Sequence, residues 1–144
     1  MMAESMEEKL KFVQHLINKG MKVEEELDGQ HFREKWEERF AAGIDDKTKK
    51  DIYFNRFLWH IFSFGALKCL EKDEAEAAFD QMEKKNCYLF SQHHIVSFEL
   101  LNAESLKVED LGEETDIYVV DEDFTWTFVK THESVCGPYF YQLP

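Results

Sequence analysis

The segment spanning residues 116–141, DIYVVDEDFTWTFVKTHESVCGPYFY, constrains this chain more than any other. It is dense in Val, Ile, Tyr, Thr and Trp, residues that suit a pleated, half-buried surface. Acidic Glu122 and Asp123 interrupt it, so 116–121 and 124–131 read as the two strands of a hairpin. On the second strand Phe124, Trp126 and Phe128 share a face, which is the predicted core face. Thr125, Thr127, Val129 and Thr131 share the other, either solvated or covered by a helix. The Gly137-Pro138 pair reads as a turn that folds Tyr139 to Tyr141 back against the domain. If those aromatics were exposed beside Trp126 they would form a binding patch. Trp126, Tyr139 and Tyr141 are therefore candidate partner contacts.

Ahead of this segment the apolar period is mostly helical. Over 4–19, Met6, Leu10, Val13 and Ile17 fall on one stripe, predicted to dock on the core, with Gly20 as the stop. Residues 21–27, MKVEEEL, read as an edge strand whose consecutive Glu24, Glu25 and Glu26 guard it from pairing with other chains. A second helix over 30–42 places Phe32, Trp36 and Phe40 on one stripe, and Asp45 or Asp46 caps a third, short helix. Residues 57–63 are apolar on both alternating faces and read as a strand buried on both sides, with a buried helix as the competing reading. A helix follows over 73–85, with Ala75, Ala78, Phe79 and Met82 inward, and then strands at 87–91 and 95–101 around a turn at 92–94. Residues 104–111 read as a short helical turn closed by Gly112. Helices lead and strands dominate later. The expectation is an α+β fold, with helices packed on a mostly antiparallel sheet.

At 144 residues, with 13 Phe, 5 Tyr and 3 Trp, the chain is long enough to bury a core as one domain, residues 1–144. The formal charge of −13 disfavours direct nucleic-acid binding and adsorption to an anionic membrane. It suits solubility, or electrostatic steering toward a basic protein partner. The acidic N-terminal stretch is unlike a signal peptide, and no apolar run reaches membrane-helix length. Cys69, Cys87 and Cys136 are odd in number and far apart, which fits free thiols in a reducing cytoplasm.

Four stretches, WEERF (36–40), LWHIFS (58–63), CYLFSQH (87–93) and the 116–141 run itself, resemble a family of small bacterial proteins, domain of unknown function 4275. The resemblance spans most of the chain and is most specific in the last run. It implies a compact single domain in the bacterial cytosol. It carries no activity and no catalytic residue with it.

The residues offer one chemical constellation, His132, Glu133 and Cys136. Such a His–Cys spacing could bind zinc or activate a thiolate. A hydrogen-bonded structural histidine is the competing role, and the simpler one. His93 and His94 lie at a turn, and His60 lies among apolar neighbours, where an imidazole is usually a satisfied core group. If the segments carrying His60, His93 and His132 lay side by side, the three imidazoles with Cys136 would make a tetrahedral zinc set. There is no phosphate loop and no nucleophile elbow. The leading expectation is a non-enzymatic module that engages a basic macromolecule, with an immunity- or antitoxin-like role as one concrete form. Glu24, Glu25 and Glu26 are its candidate contacts. The alternative is a metal- or thiol-dependent enzyme using His132 and Cys136.

Overall fold

A computed structural model describes residues 2–26, 28–92 and 97–144, and for residues 2–5 the backbone alone. Seven strands form one sheet in the order β1-β4-β3-β5-β6-β7-β2, every pairing antiparallel. They are β1 Lys22–Glu26, β2 Leu70–Glu71, β3 Cys87–Ser91, β4 Ser97–Leu101, β5 Ile117–Asp121, β6 Trp126–Lys130 and β7 Tyr139–Gln142. Both faces of the sheet are covered, so the molecule has two apolar cores, one on each side. Among the described residues no helix is long and apolar enough to cross a membrane.

The first face carries α1 (Met2–Asn18), α5 (Lys72–Gln81) and a 3-10 turn over Val108–Leu111. Cys87, Leu89, Phe98, Leu100, Val119, Trp126, Phe128 and Phe140 point into it from the sheet. The turn lies between the two helices: Asp80 of α5 accepts from the Val108 amide at 2.8 Å, and Asp110 binds α1 from the other side. The second face carries α2 (Gly29–Phe40), α3 (Asp46–Asp51) and α4 (His60–Ser63) over Phe90, Tyr118, Val120, Val129 and Tyr139.

The α2 stripe of Phe32, Trp36 and Phe40 is buried as its spacing predicts, and Asp45 caps α3 by accepting from the Thr48 amide at 2.7 Å. The threonine face of β6 is covered: Trp36 Nε1 donates to buried Thr127 at 2.9 Å. The hairpin forms around Asp121, whose carboxylate accepts from Thr125 N at 2.6 Å and Trp126 N at 3.1 Å, as aspartate does in turns. Phe124 does not share the face of Trp126 and Phe128. It stands in the loop with a left-handed φ of 53°, which sends its ring to the second core. After β6 the chain returns through Gly137, at φ 85°, where an added Cβ would stand 3.2 Å from Thr131 and from the Tyr139 ring. Tyr139 and Phe140 are buried in β7, so the tail is part of the sheet.

Besides the placement of Phe124, three expectations for the elements need correction. Residues 57–63 are no strand but turns leading into α4. Two of their amides reach side chains at and just past the sheet beneath, Leu58 N donating to Gln92 Oε1 at 3.0 Å and Trp59 N to the Tyr118 hydroxyl at 3.2 Å, while those of residues 60–63 donate to carbonyls of the segment itself. The segment therefore crosses over the sheet without joining it. Second, α5 ends at Gln81, four residues short of the predicted 85, because Met82 is extended. The buried Lys84 ammonium closes that end on the carbonyls of Phe79 and Met82.

Third, of the α1 stripe only Val13 docks. Leu16 is fully buried and Phe12 and Val13 pack on the core, but Met6, Leu10 and Ile17 stay 53%, 60% and 45% exposed. Polar contacts on both flanks match this rotation. Lys9 pairs with Glu25 of β1 at 2.5 Å, while His15 and Lys19 meet Asp110 at 2.8 Å on the opposite flank. The residues between those flanks, Phe12 and Leu16, face the sheet.

Candidate functional site

His132 stands just past β6, beside the start of β5. Asp116 there has a left-handed φ of 54°, a conformation aspartate tolerates better than most residues. Its carboxylate is a junction. His132 Nδ1 lies 2.9 Å from both carboxylate oxygens, and Oδ1 also accepts from Trp59 Nε1 at 3.0 Å and from the His132 amide at 3.3 Å. A carboxylate can only accept, so Nδ1 carries a proton. The hydrogen bond to Asp116 holds the His132 pKa above the usual imidazole value.

Nε2 faces Glu133 Oε1 at 3.5 Å, and the Cys136 thiol donates to the other oxygen, Oε2, at 3.5 Å. The sequence-predicted trio is thus brought together, but with Glu133 between the imidazole and the sulfur. Burial, reinforced by the bond to Glu133, pushes the Cys136 thiol above its ordinary value. A reactive cysteine needs the reverse, an electropositive neighbourhood that favours the thiolate. Burial also pushes Cys69 and Cys87 up to about 12. The trio holds a protonated thiol beside a carboxylate.

His60 directs Nδ1 at the Tyr53 carbonyl, 3.1 Å away, and packs edge-on against Trp59 at 4.7 Å between ring centres. His132 lies 5.2 Å from the Phe57 ring and 5.9 Å from Trp59. Both imidazoles flank the same two aromatic rings, and each commits Nδ1 to a protein oxygen. Among the described residues no three His, Cys, Asp or Glu side chains are placed to hold a metal ion. His93 and His94 lie outside the described residues.

The candidate partner contacts divide. Trp126 is buried in the first core against Phe79 and Phe140, and Tyr139 is buried in the second against Phe62, so neither is a surface contact. Tyr141 is half-buried against Phe40 and Phe62. Strand alternation separates the three glutamates. Glu25 turns to the α1 face and Lys9, while Glu24 and Glu26 turn to the other.

There Glu24 lies directly opposite Glu99 of β4, and Glu99 in turn lies opposite Tyr88 of β3. Burial, then the charges of Glu24, Glu26 and Glu122, pushes the Glu99 pKa up. Burial and the charges of Glu99, Glu122, Glu26 and Asp123 do the same to the Tyr88 phenol. Lys22, 3.2 Å from Glu24, offsets part of this charge. The residues sequence reasoning missed are Asp116, Glu99, Glu122, Asp123 and Tyr88. Two had a signal. Glu99 is the one charge in the SFELL strand, and the hairpin register sets Asp116 beside the end of β6.

The family model for a domain of unknown function, DUF4275, matches residues 10–140. This chain belongs to that family. No curated protein and no solved structure shows significant similarity to it. The match takes in both the Asp116–His132 junction and the acidic shelf on β1, β4 and β3. The family description assigns neither of them a role.

Proposed function

We propose that this DUF4275 protein is a non-enzymatic binding module of the bacterial cytoplasm whose acidic shelf engages a basic macromolecular partner. The observation that carries the reading is the placement of Glu24 opposite Glu99, with Glu26 on the same face and Glu122 within electrostatic reach. Like charges directly opposite each other on neighbouring strands destabilise a sheet. Folding alone gains nothing from that arrangement, whereas a cationic partner would relieve it. The overall charge of −13 acts in the same direction, drawing a basic protein in and repelling nucleic acid and anionic lipid. An inhibitor that covers the cationic surface of a nuclease, as an immunity protein or antitoxin does, is one concrete form. The competing enzyme reading gains no support from a thiol held protonated beside Glu133.

The test is affinity capture from host lysate with the native protein and with a Glu24→Lys/Glu26→Lys/Glu99→Lys variant, at low and high salt. The expected result is a basic protein retained by the native form at low salt only, and missing from the variant. Identical captured sets for both forms would sink the reading.

A further inference from the structure

Beyond the shelf itself, the outer edge of β1 is unusual. As the end strand of the sheet it is paired, among the described residues, on one side only, with β4. Helix α1 lies over this end, its Lys9 reaching Glu25 and its Phe12 ring 6.4 Å from Phe98 of β4. Its flank toward the middle of the sheet is occupied by the 3-10 turn, through His15, Lys19 and Asp110. The opposite flank, bearing Met6, Leu10 and Ile17, therefore overhangs the open edge of β1, and these three side chains stay about half exposed or more. On one face of the edge is an apolar overhang. On the other are Glu24 and Glu26.

We infer that this edge accepts an extended segment of the partner as an added strand, with alternating residues basic and apolar. The inference rests on the proposed acidic-module reading and specifies the partner's chemistry. Successive side chains of a strand point to opposite faces, so one such segment meets both surfaces at once. Its lysines or arginines lie beside Glu24 and Glu26, its apolar residues lie under Met6, Leu10 and Ile17, and its backbone pairs with the unpaired groups of β1. A second copy of this chain suits the edge poorly. Three of the five residues of β1 are glutamates, and full overlap of two copies would set Glu24 against Glu24.

The probe is an eight-residue peptide of alternating lysine and valine, capped at both ends, tested against the full chain by fluorescence anisotropy. Its comparison is the same peptide N-methylated at alternate residues, which keeps charge and side chains but removes the hydrogen bonds of one edge. The unmethylated peptide is expected to bind at low salt and to slow amide exchange over Lys22–Glu26. N-methylation is expected to weaken binding by about tenfold or more, since main-chain bonds carry the affinity of strand addition. A Leu10→Gln/Ile17→Gln protein, altered only at exposed positions, is expected to weaken it as well while keeping its circular dichroism. Equal binding of the two peptides, still lost in a Glu24→Lys/Glu26→Lys protein, overturns strand addition and leaves the acidic reading standing. Binding indifferent to salt and to that charge reversal overturns the acidic reading. No binding of either peptide overturns strand addition. So does self-association of the free protein that the Leu10→Gln/Ile17→Gln change abolishes, because it assigns the edge to a second copy.

Discussion

At the scale of the residue, His132 is defined by Asp116. The carboxylate fixes the proton on Nδ1 and raises the pKa of the ring, so the folded state binds this proton more tightly than the unfolded chain does. The stabilising contribution is complete below the unfolded imidazole value, about 6.5, and is lost as pH rises through the higher folded value. Nuclear magnetic resonance of the His132 ring protons is expected to show a midpoint above that of a free histidine. Asp116→Asn is expected to bring it back down. A midpoint that does not move with Asp116→Asn would mean that the carboxylate does not set the charge of this ring. The same contact orders the site, since Trp59 donates to Asp116 as well.

At the scale of the element, α1 is an apolar helix whose buried face lies between polar contacts on its two flanks. Its arc of apolar residues is wider than one stripe, running from Phe12 and Leu16 round to Met6, Leu10 and Ile17. Burying either part would satisfy the spacing rule. The contacts of Lys9 with Glu25 and of His15 and Lys19 with Asp110 flank the first part, which is the part buried. Two truncations on the same helix should therefore differ sharply. Leu16→Ala empties a fully buried position and is expected to cost about 2–5 kcal/mol. Leu10→Ala, at an exposed site, is expected to stay within about 0.5 kcal/mol of the native protein. Urea denaturation of the two variants measures both. Comparable losses would mean that α1 docks by the Met6–Leu10–Ile17 stripe after all.

At the scale of the whole molecule, acidic charge is placed in two opposite ways. Burial alone would raise the Asp110 pKa, but the bonds from Lys19, His15 and the Lys107 amide together outweigh it and bring it below the ordinary value. Its contribution to stability is present at neutral pH and is lost as pH falls through that lowered value. Glu99 has the reverse sign. Its raised pKa means that its charge disfavours the fold at neutral pH, an effect that fades as pH falls through the raised value. Glu99→Gln is accordingly expected to stabilise the protein by about 0.2–1 kcal/mol at pH 7, the range of a cross-strand pair. The gain should shrink as pH falls through the raised value and the native carboxyl takes up its proton. Urea midpoints of the two proteins across that pH range give the comparison, and a destabilised variant at pH 7 would contradict the repulsion.

What the sequence determined by itself were the features set by local spacing. The Phe32–Trp36–Phe40 stripe, the Asp45 cap, β3, and the hairpin around Glu122 and Asp123 were legible because helix and strand periods and turn chemistry act over a few residues. An edge strand at β1 was equally legible, but the sequence reading grouped Glu24, Glu25 and Glu26, and only the folded strand parts Glu25 from the other two. Tertiary structure decided everything that needed a distant partner. The turns that lead into α4 are held where Gln92 and Tyr118, far along the chain, take the Leu58 and Trp59 amides. Phe124 changed cores through one left-handed residue, and the rotation of α1 goes with its contacts to Glu25 and Asp110. The acidic shelf exists only because β4 lies between β1 and β3, which places Glu99 between Glu24 and Tyr88. Like charges on separate strands carry no sequence signal, because their repulsion depends on a register that only the folded sheet sets.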